Sequence, residues 1–356
     1  MRSVTGARSG LLRGLLITLC IASTTHVRNV DAMAEYKIVT ASTRGTYIQI
    51  GRDIARFIAP LADIKLEVLP SAGSAENVRR LRYDPGVKLA LVQSDVYQAF
   101  IDEAAAGNAE AGEIIRPLRV IMPLYDEEIY FVVRADSPME YVHDIRGARI
   151  NPGPIGSGTA LTTTTLYRAM FGEPIADTNA TFLSNEEALA KLVTDKSIDV
   201  VAVIAGQPAK LLVDMRPESR QYIKLLRFDR GHSTAQAALA TYFEATVRAK
   251  SYPNLLTADL PALSVKSYLV TYDFNLRNTR THLAALARAL CRNFSLLEAN
   301  GHPKWKEIDV GLPDLGQGWS YYPPTTEEIK ACLASRPAPV PRKSCSQQER
   351  VLGLCG

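Results

Sequence analysis

The residue types and spacing best suited to chemistry lie between Gly147 and Gly172. This stretch reads Gly-Ala-Arg-Ile-Asn-Pro-Gly-Pro-Ile-Gly-Ser-Gly-Thr, then Ala-Leu-Thr-Thr-Thr-Thr-Leu-Tyr-Arg-Ala-Met-Phe-Gly. A short strand (148–151) runs into a glycine-rich turn, and the turn opens a helix ending near Gly172. Gly156 and Gly158 allow a tight turn and a close approach of backbone to ligand. The first helical turn has N–H groups without intrahelical partners, which favour an anion. Ser157 and Thr159 add hydroxyls at the same point, so the chemistry indicated is a seat for a carboxylate or phosphate. Two nucleotide motifs are excluded. Gly153 to Gly158 has P-loop spacing, but Thr159 stands where the lysine is required. The three glycines also miss the dinucleotide spacing. By itself the turn reads equally as binding or as packing.

Other small polar turns follow strands elsewhere: Ala41-Ser42-Thr43-Arg44-Gly45-Thr46, Pro70-Ser71-Ala72-Gly73-Ser74, Gln93-Ser94-Asp95 and Ala205-Gly206-Gln207-Pro208. Arg44 in such a turn either reaches a ligand carboxylate bidentately or points to solvent. The run Asp126-Glu127-Glu128 reads as a solvated turn, with Tyr125 beside it as a candidate cleft wall. Thr162 to Thr165 read as packing or bonding locally rather than binding. The sequence contains no His-Glu-x-x-His, no Gly-x-Ser-x-Gly and no Cys/His nucleophile pair. Hydroxyls, amides and helix starts without a general base suit binding better than turnover.

The elements that must position these turns alternate as strand, turn, helix. Strands are predicted over 36–40, 65–69, 87–93, 148–151 and 198–204. A helix with Tyr47, Ile50 and Ile54 on one face follows the first. Ser74 and Ser94 are predicted helix caps, and Ser184 with Glu187 forms a capping box. Such alternation implies a mainly parallel sheet with helices on both faces, whose ligands collect beyond the carboxyl ends of the strands. Segments 118–123 and 129–134 read as two apolar strands joined through 124–128. A third, 262–271, precedes a long amphipathic helix carrying Leu283, Leu286 and Leu290. Strands of this kind flanking a middle segment predict two α/β lobes with a cleft between them.

Bulk composition is ordinary for a globular protein: 356 residues, 47% hydrophobic, 22% charged, formal net charge +4. The first 34 residues hold four arginines against one aspartate. They resemble a secretory leader, with Arg2, Arg8 and Arg13 before an apolar core at 15–22 and Ala32-Met33-Ala34 as cleavage site. Without them the balance is near +1, and no clustered basic face suggests nucleic acid. Cysteines 291, 332, 345 and 355 all lie in the last quarter. In an oxidising compartment they imply two disulfides, with three connectivities open.

Five segments together resemble the TAXI-type solute receptors of tripartite ATP-independent periplasmic (TRAP) transporters. These are Thr43-Arg44-Gly45-Thr46-Tyr47, Pro70 to Asn77, Leu91 to Val96, Asp144 to Thr159, and Gly206-Gln207-Pro208. The resemblance implies a type II two-lobed periplasmic binding fold. It implies capture of glutamate or a related dicarboxylate or keto acid for membrane permease subunits, with no catalysis and no cofactor or metal. Carried over by position, the ligand would meet Thr43, Arg44, Gly45, Thr46, Tyr47, Ser74, Gln93 and Tyr125 from one side. Ser157, Gly158, Thr159, Gly206 and Pro208 would meet it from the other. The expected organisation is a signal peptide over 1–34, a first lobe over 35–124 and 262–310, a second lobe over 125–261, and an extension with a Cys-rich tail over 311–356. A periplasmic monomer is expected. An alternative is an orphan or sensory binding protein that presents its ligand to a membrane signalling partner.

Overall fold

The computed structural model describes residues 33–335 except Arg44 and Gln317. The leader, Arg44, Cys345, Cys355 and the Pro-rich tail lie outside the described residues. Among the described residues nine strands form one continuous sheet: β1 (Ala34–Val39), β2 (Ile64–Leu69), β3 (Val87–Gln93), β4 (Leu118–Arg134), β5 (Ile150–Asn151), β6 (Val200–Ala205), β7 (Ile223–Leu225), β8 (Phe243–Val247) and β9 (Leu260–Tyr272). The α-helices of the described residues surround it: α1 (Thr46–Asp53), α2 (Ser74–Tyr83), α3 (Val96–Ala105), α4 (Ala109–Ile115), α5 (Gly158–Phe171), α6 (Asn185–Val193), α7 (Lys210–Val213), α8 (Ala235–Leu239), α9 (Arg277–Arg292), α10 (Phe294–Asn300) and α11 (Pro323–Ser335). None of the described helices is long and apolar enough to cross a membrane.

The sheet order is β2-β1-β3-β9-β4-β6-β5, with β7 alongside β4 and β8 alongside β9. Strands β2, β1 and β3 pair in parallel, as do β5 and β6. The long strands β4 and β9 run antiparallel to each other and to their neighbours. The result is two α/β lobes sharing two crossing strands. Strand-helix-strand units account for the parallel parts. The crossing strands, which enter and leave the second lobe, add the antiparallel pairs that alternation alone does not predict.

Each lobe buries apolar side chains on both faces of its part of the sheet. One face of the first lobe packs Ile38, Ile50, Leu91, Leu286 and Trp305, and the other packs Val78, Phe100, Val120 and Val270. In the second lobe Phe131, Leu166 and Ala202 lie on one face, and Val132, Leu192 and Val201 on the other. Residues 311–335 are integral to the first lobe. Tyr322 N donates to Val120 O, Val120 N to Ser320 O, and Ile329 and Cys332 join the core. A disulfide between Cys291 and Cys332 ties α9 to α11.

The segment 118–134 is one strand rather than two. Its pairing with β9 slips between Pro123 and Asp126, where Ser267 Oγ accepts from Tyr125 N and donates to Tyr125 O. A side chain thus satisfies the backbone at the irregularity, and the strand passes between lobes without a loop. Two predicted caps are displaced by one residue: Gly73 caps α2 and Asp95 precedes α3. Ser184 caps α6 as expected, accepting from Glu187 N.

Candidate functional site

The turns after β1, β2, β3, β5 and β6 face one another across the crossing strands. Asn77, buried in the first turn of α2, knits three of them. Its amide donates to Thr40 O and, at 2.7 Å, to Leu91 O, while Ser71 Oγ donates to its Oδ1 at 2.6 Å. Ser74 then fixes Gln93: its hydroxyl donates to Gln93 Oε1 and accepts from Gln93 N, both at 3.0 Å. On the facing lobe, Ser157 Oγ accepts from Ala160 N at 3.0 Å as the N-cap of α5, and Gly172 closes that helix at φ 72°. Ser157 therefore supports the helix start with the oxygen expected to meet a ligand.

The lobes touch through glycine. A Cβ added to Gly158 would lie 1.9 Å from Gln93 Oε1 and 2.7 Å from Ser74 Oγ. One added to Gly73 would lie 2.8 Å from Gly158 N. No other residue allows this approach, and Gly73 also sits at φ 135°. Nearby, Thr46 Oγ1 donates to Gly206 O at 3.3 Å.

Beside the contact is a cavity of about 160 Å³. Of the residues predicted to meet a ligand, Gly45, Thr46, Tyr47, Ser74, Gln93, Ser157, Gly158 and Thr159 line it together. Thr43 is exposed in its turn and outside the lining, and Arg44 is not among the described residues. Tyr125 lies beneath the wall, with Gly206 packed on its ring edge, and its buried hydroxyl has no partner among the described residues. Gly206 and Pro208 shape the wall without lining it, and Gln207–Pro208 is a cis peptide.

Sequence reading missed Glu127, Ser184, Asn185, Glu186 and Lys210, all of which line the cavity. Reading Asp126-Glu127-Glu128 as a solvated turn is corrected: Glu127 and Glu128 are 3% and 4% exposed. Tertiary partners make this burial tolerable. Tyr47 donates to Glu127 Oε2 at 2.9 Å. Glu128 accepts from Gln207 N at 2.8 Å, Gln207 Nε2 at 2.9 Å and the fully buried Lys304 Nζ at 3.1 Å. Lys304 also reaches Glu307 at 2.8 Å. Burial pushes the Glu127 carboxyl up to about 8; the Tyr47 hydrogen bond opposes this and the Glu128 charge adds to it. Burial also raises Glu128, against the pull of Lys304. No sequence signal marked these partners, but the cap of α6 was visible and its exposed end could have been placed at the cleft.

The described cation in the lining is Lys210, half-exposed and paired with Asp214. The site is thus a small cavity in which hydroxyls, amides and helix N–H groups stand among aliphatic side chains such as Val203, Ile204 and Leu211, with one buried carboxyl in its wall. A family model for the NMT1-like family matches residues 38–308. The chain belongs to the NMT1-like family.

That match spans both lobes and every turn at the cavity, so the NMT1-like assignment covers the whole candidate site. Solved structures similar to this NMT1-like chain include the periplasmic binding protein BugD, at 12% identity over 85% of this chain and 94% of that one, TM-score 0.48. A TctC solute-binding protein from Polaromonas is 15% identical over 85% and 99% of the two chains, TM-score 0.40. A structure described as a periplasmic transporter is 12% identical over 84% and 95%, TM-score 0.45.

Proposed function

We propose that this NMT1-like protein is an exported solute receptor. It captures a small carboxylate, of the size of glutamate or a related dicarboxylate or keto acid, between its lobes and presents it to the permease subunits of a TRAP-type transporter. The observation that carries the reading is the chamber closed by the Gly73–Gly158 contact. Both lobes contribute polar groups to it, and the start of α5 offers backbone N–H groups and Thr159 to an anion. The TAXI-like turns fall around that chamber, which supports a TRAP partner. In this reading the mature chain works in the periplasm as a monomer, binding and releasing the solute unchanged. The permease and the TAXI subfamily are tested by co-purification with permease subunits encoded beside the gene.

The solute class is tested by thermal unfolding of the mature chain against a panel of amino acids, dicarboxylates and keto acids. A true ligand at 100 times its Kd adds about 2.7 kcal/mol of stability. Stabilisation by one or more acids supports the reading. A flat response across the acids overturns it, as would recovery of a chemically altered acid after incubation.

A further inference from the structure

A buried carboxyl in the wall of a chamber for an acid needs an explanation. Glu127 is almost wholly buried, and an isolated carboxylate there is costly. Lys304, whose charge reaches Glu127, is bonded to Glu128 and Glu307, and Arg248 lies 3.8 Å from Glu307. Glu128 is further held by Gln207. From α1, Tyr47 donates to one Glu127 oxygen, and from β3 the Gln93 side chain also hydrogen-bonds the carboxyl; from β4, Tyr125 brings a neutral phenol and Glu128 a competing carboxylate, and burial outweighs the pull of Tyr47, Gln93 and the Lys304 charge. Across the cavity stand Lys210, paired with Asp214, and Glu186. No described cation bonds Glu127, and a solute anion beside an ionised Glu127 would be repelled. A protonated carboxyl in the same place donates its O–H to the incoming anion instead, in a short charge-assisted bond.

We propose that Glu127 meets the solute as a neutral acid: it is already protonated in the free receptor at neutral pH, and at alkaline pH, where the free carboxyl ionises, binding takes up a proton. The proton comes from the solvent and resides on the Glu127 carboxyl, in the hydrogen bond to a solute carboxylate or keto oxygen. Tyr47, locked to the other oxygen, orients the group. Glu127 then determines specificity: it favours oxygen acceptors over ammonium groups and ties affinity to pH. The carboxyl's shift toward 8 agrees with this assignment.

The inference rests on the carboxylate-receptor reading, and the test separates the two. Isothermal titration of the mature chain uses glutarate, 2-oxoglutarate and L-glutamate, in buffers of different ionisation enthalpy, from pH 6 to 9. The expected result is negligible proton uptake at pH 6, about half a proton per solute near pH 8 and close to one at pH 9, because uptake equals the fraction of Glu127 ionised before binding. Affinity should fall about tenfold per pH unit above pH 8. Glu127→Gln keeps a hydrogen-bond donor without a titrating proton. It should bind the same acid within about threefold at pH 6 and show neither proton uptake nor pH dependence. Binding without proton uptake at pH 9, binding with proton release, or an unchanged pH profile in folded Glu127→Gln overturns the inference while leaving the receptor reading intact. Should Glu127→Gln fail to fold, the wild-type proton count still decides. Failure of these acids and of the whole acid panel to bind overturns the receptor reading and the inference together.

Discussion

Thr162 of the second lobe donates to Asp95 of the first across 2.7 Å, and both side chains are buried. Tyr242 donates to the same carboxylate oxygen at 3.1 Å, while Asp95 Oδ1 has no partner among the described residues. The lobes therefore meet at a second polar seam besides the cavity, and it is built around a carboxyl.

Burial pushes Asp95 up to about 6 despite its two donors. A raised carboxyl stabilises the closed seam fully below its ordinary value near 4, and that contribution is lost as pH rises through about 6. The wild type is expected to lose about 1 kcal/mol of stability between pH 5 and 7 through this group. Asp95→Asn should flatten that part of the profile. Urea unfolding of both proteins at the two pH values checks the difference.

Lys304 is fully buried and compensates Glu128. Lys304→Met leaves a buried carboxyl without its cation and should cost about 3–5 kcal/mol. Adding Glu128→Gln should recover part of the loss. A double-mutant cycle from urea midpoints measures the coupling, and additive effects would contradict the pairing.

Gly158→Ala places a methyl where Gln93 and Ser74 now sit. Position 158 has ordinary helical geometry, so the fold should lose no more than about 1 kcal/mol, within the usual range for a point change. The cost should appear in closure: an increased radius of gyration by small-angle scattering and at least about tenfold weaker solute binding. Normal compactness and affinity would show that the lobes can close another way.

The Cys291–Cys332 bridge spans a sequence separation of 41 residues. Chain-entropy arguments give it a ceiling of about 4 kcal/mol. Replacing both cysteines with alanine should lower the urea midpoint, and reductant should then have no further effect on the transition through this bridge.

Where a residue's task is local, the sequence announces it. Gly172 ends α5 in a left-handed conformation, Ser184 caps α6, and the turns at 41–46, 70–74 and 153–159 stand at strand ends because glycines and hydroxyls suit such turns. Where the task depends on a distant partner, nothing local distinguishes it. Glu128 and Lys304 are separated by 176 positions, and Asp95 and Tyr242 by 147. Three acidic residues in a row look hydrated until the fold supplies Tyr47, Gln207 and Lys304. Ser157 shows a subtler limit: its place at the cavity was legible, but not that its oxygen is engaged in capping α5. The pairing of Tyr321 with Val120, which draws residues 318–335 onto the first lobe, leaves no sequence pattern.

Asp53, the last residue of α1, accepts from His302 N and Trp305 Nε1, each at 2.8 Å, and so fixes the turn that carries Lys304. Lys304 holds Glu128, and Glu128 holds Gln207 on the second lobe. The far end of α1, about 10 Å along its axis from Thr46, is thereby linked to the second lobe. A substitution at Asp53 would therefore act on Lys304 and Gln207 through this chain of bonds, although Asp53 itself lies outside the cavity lining.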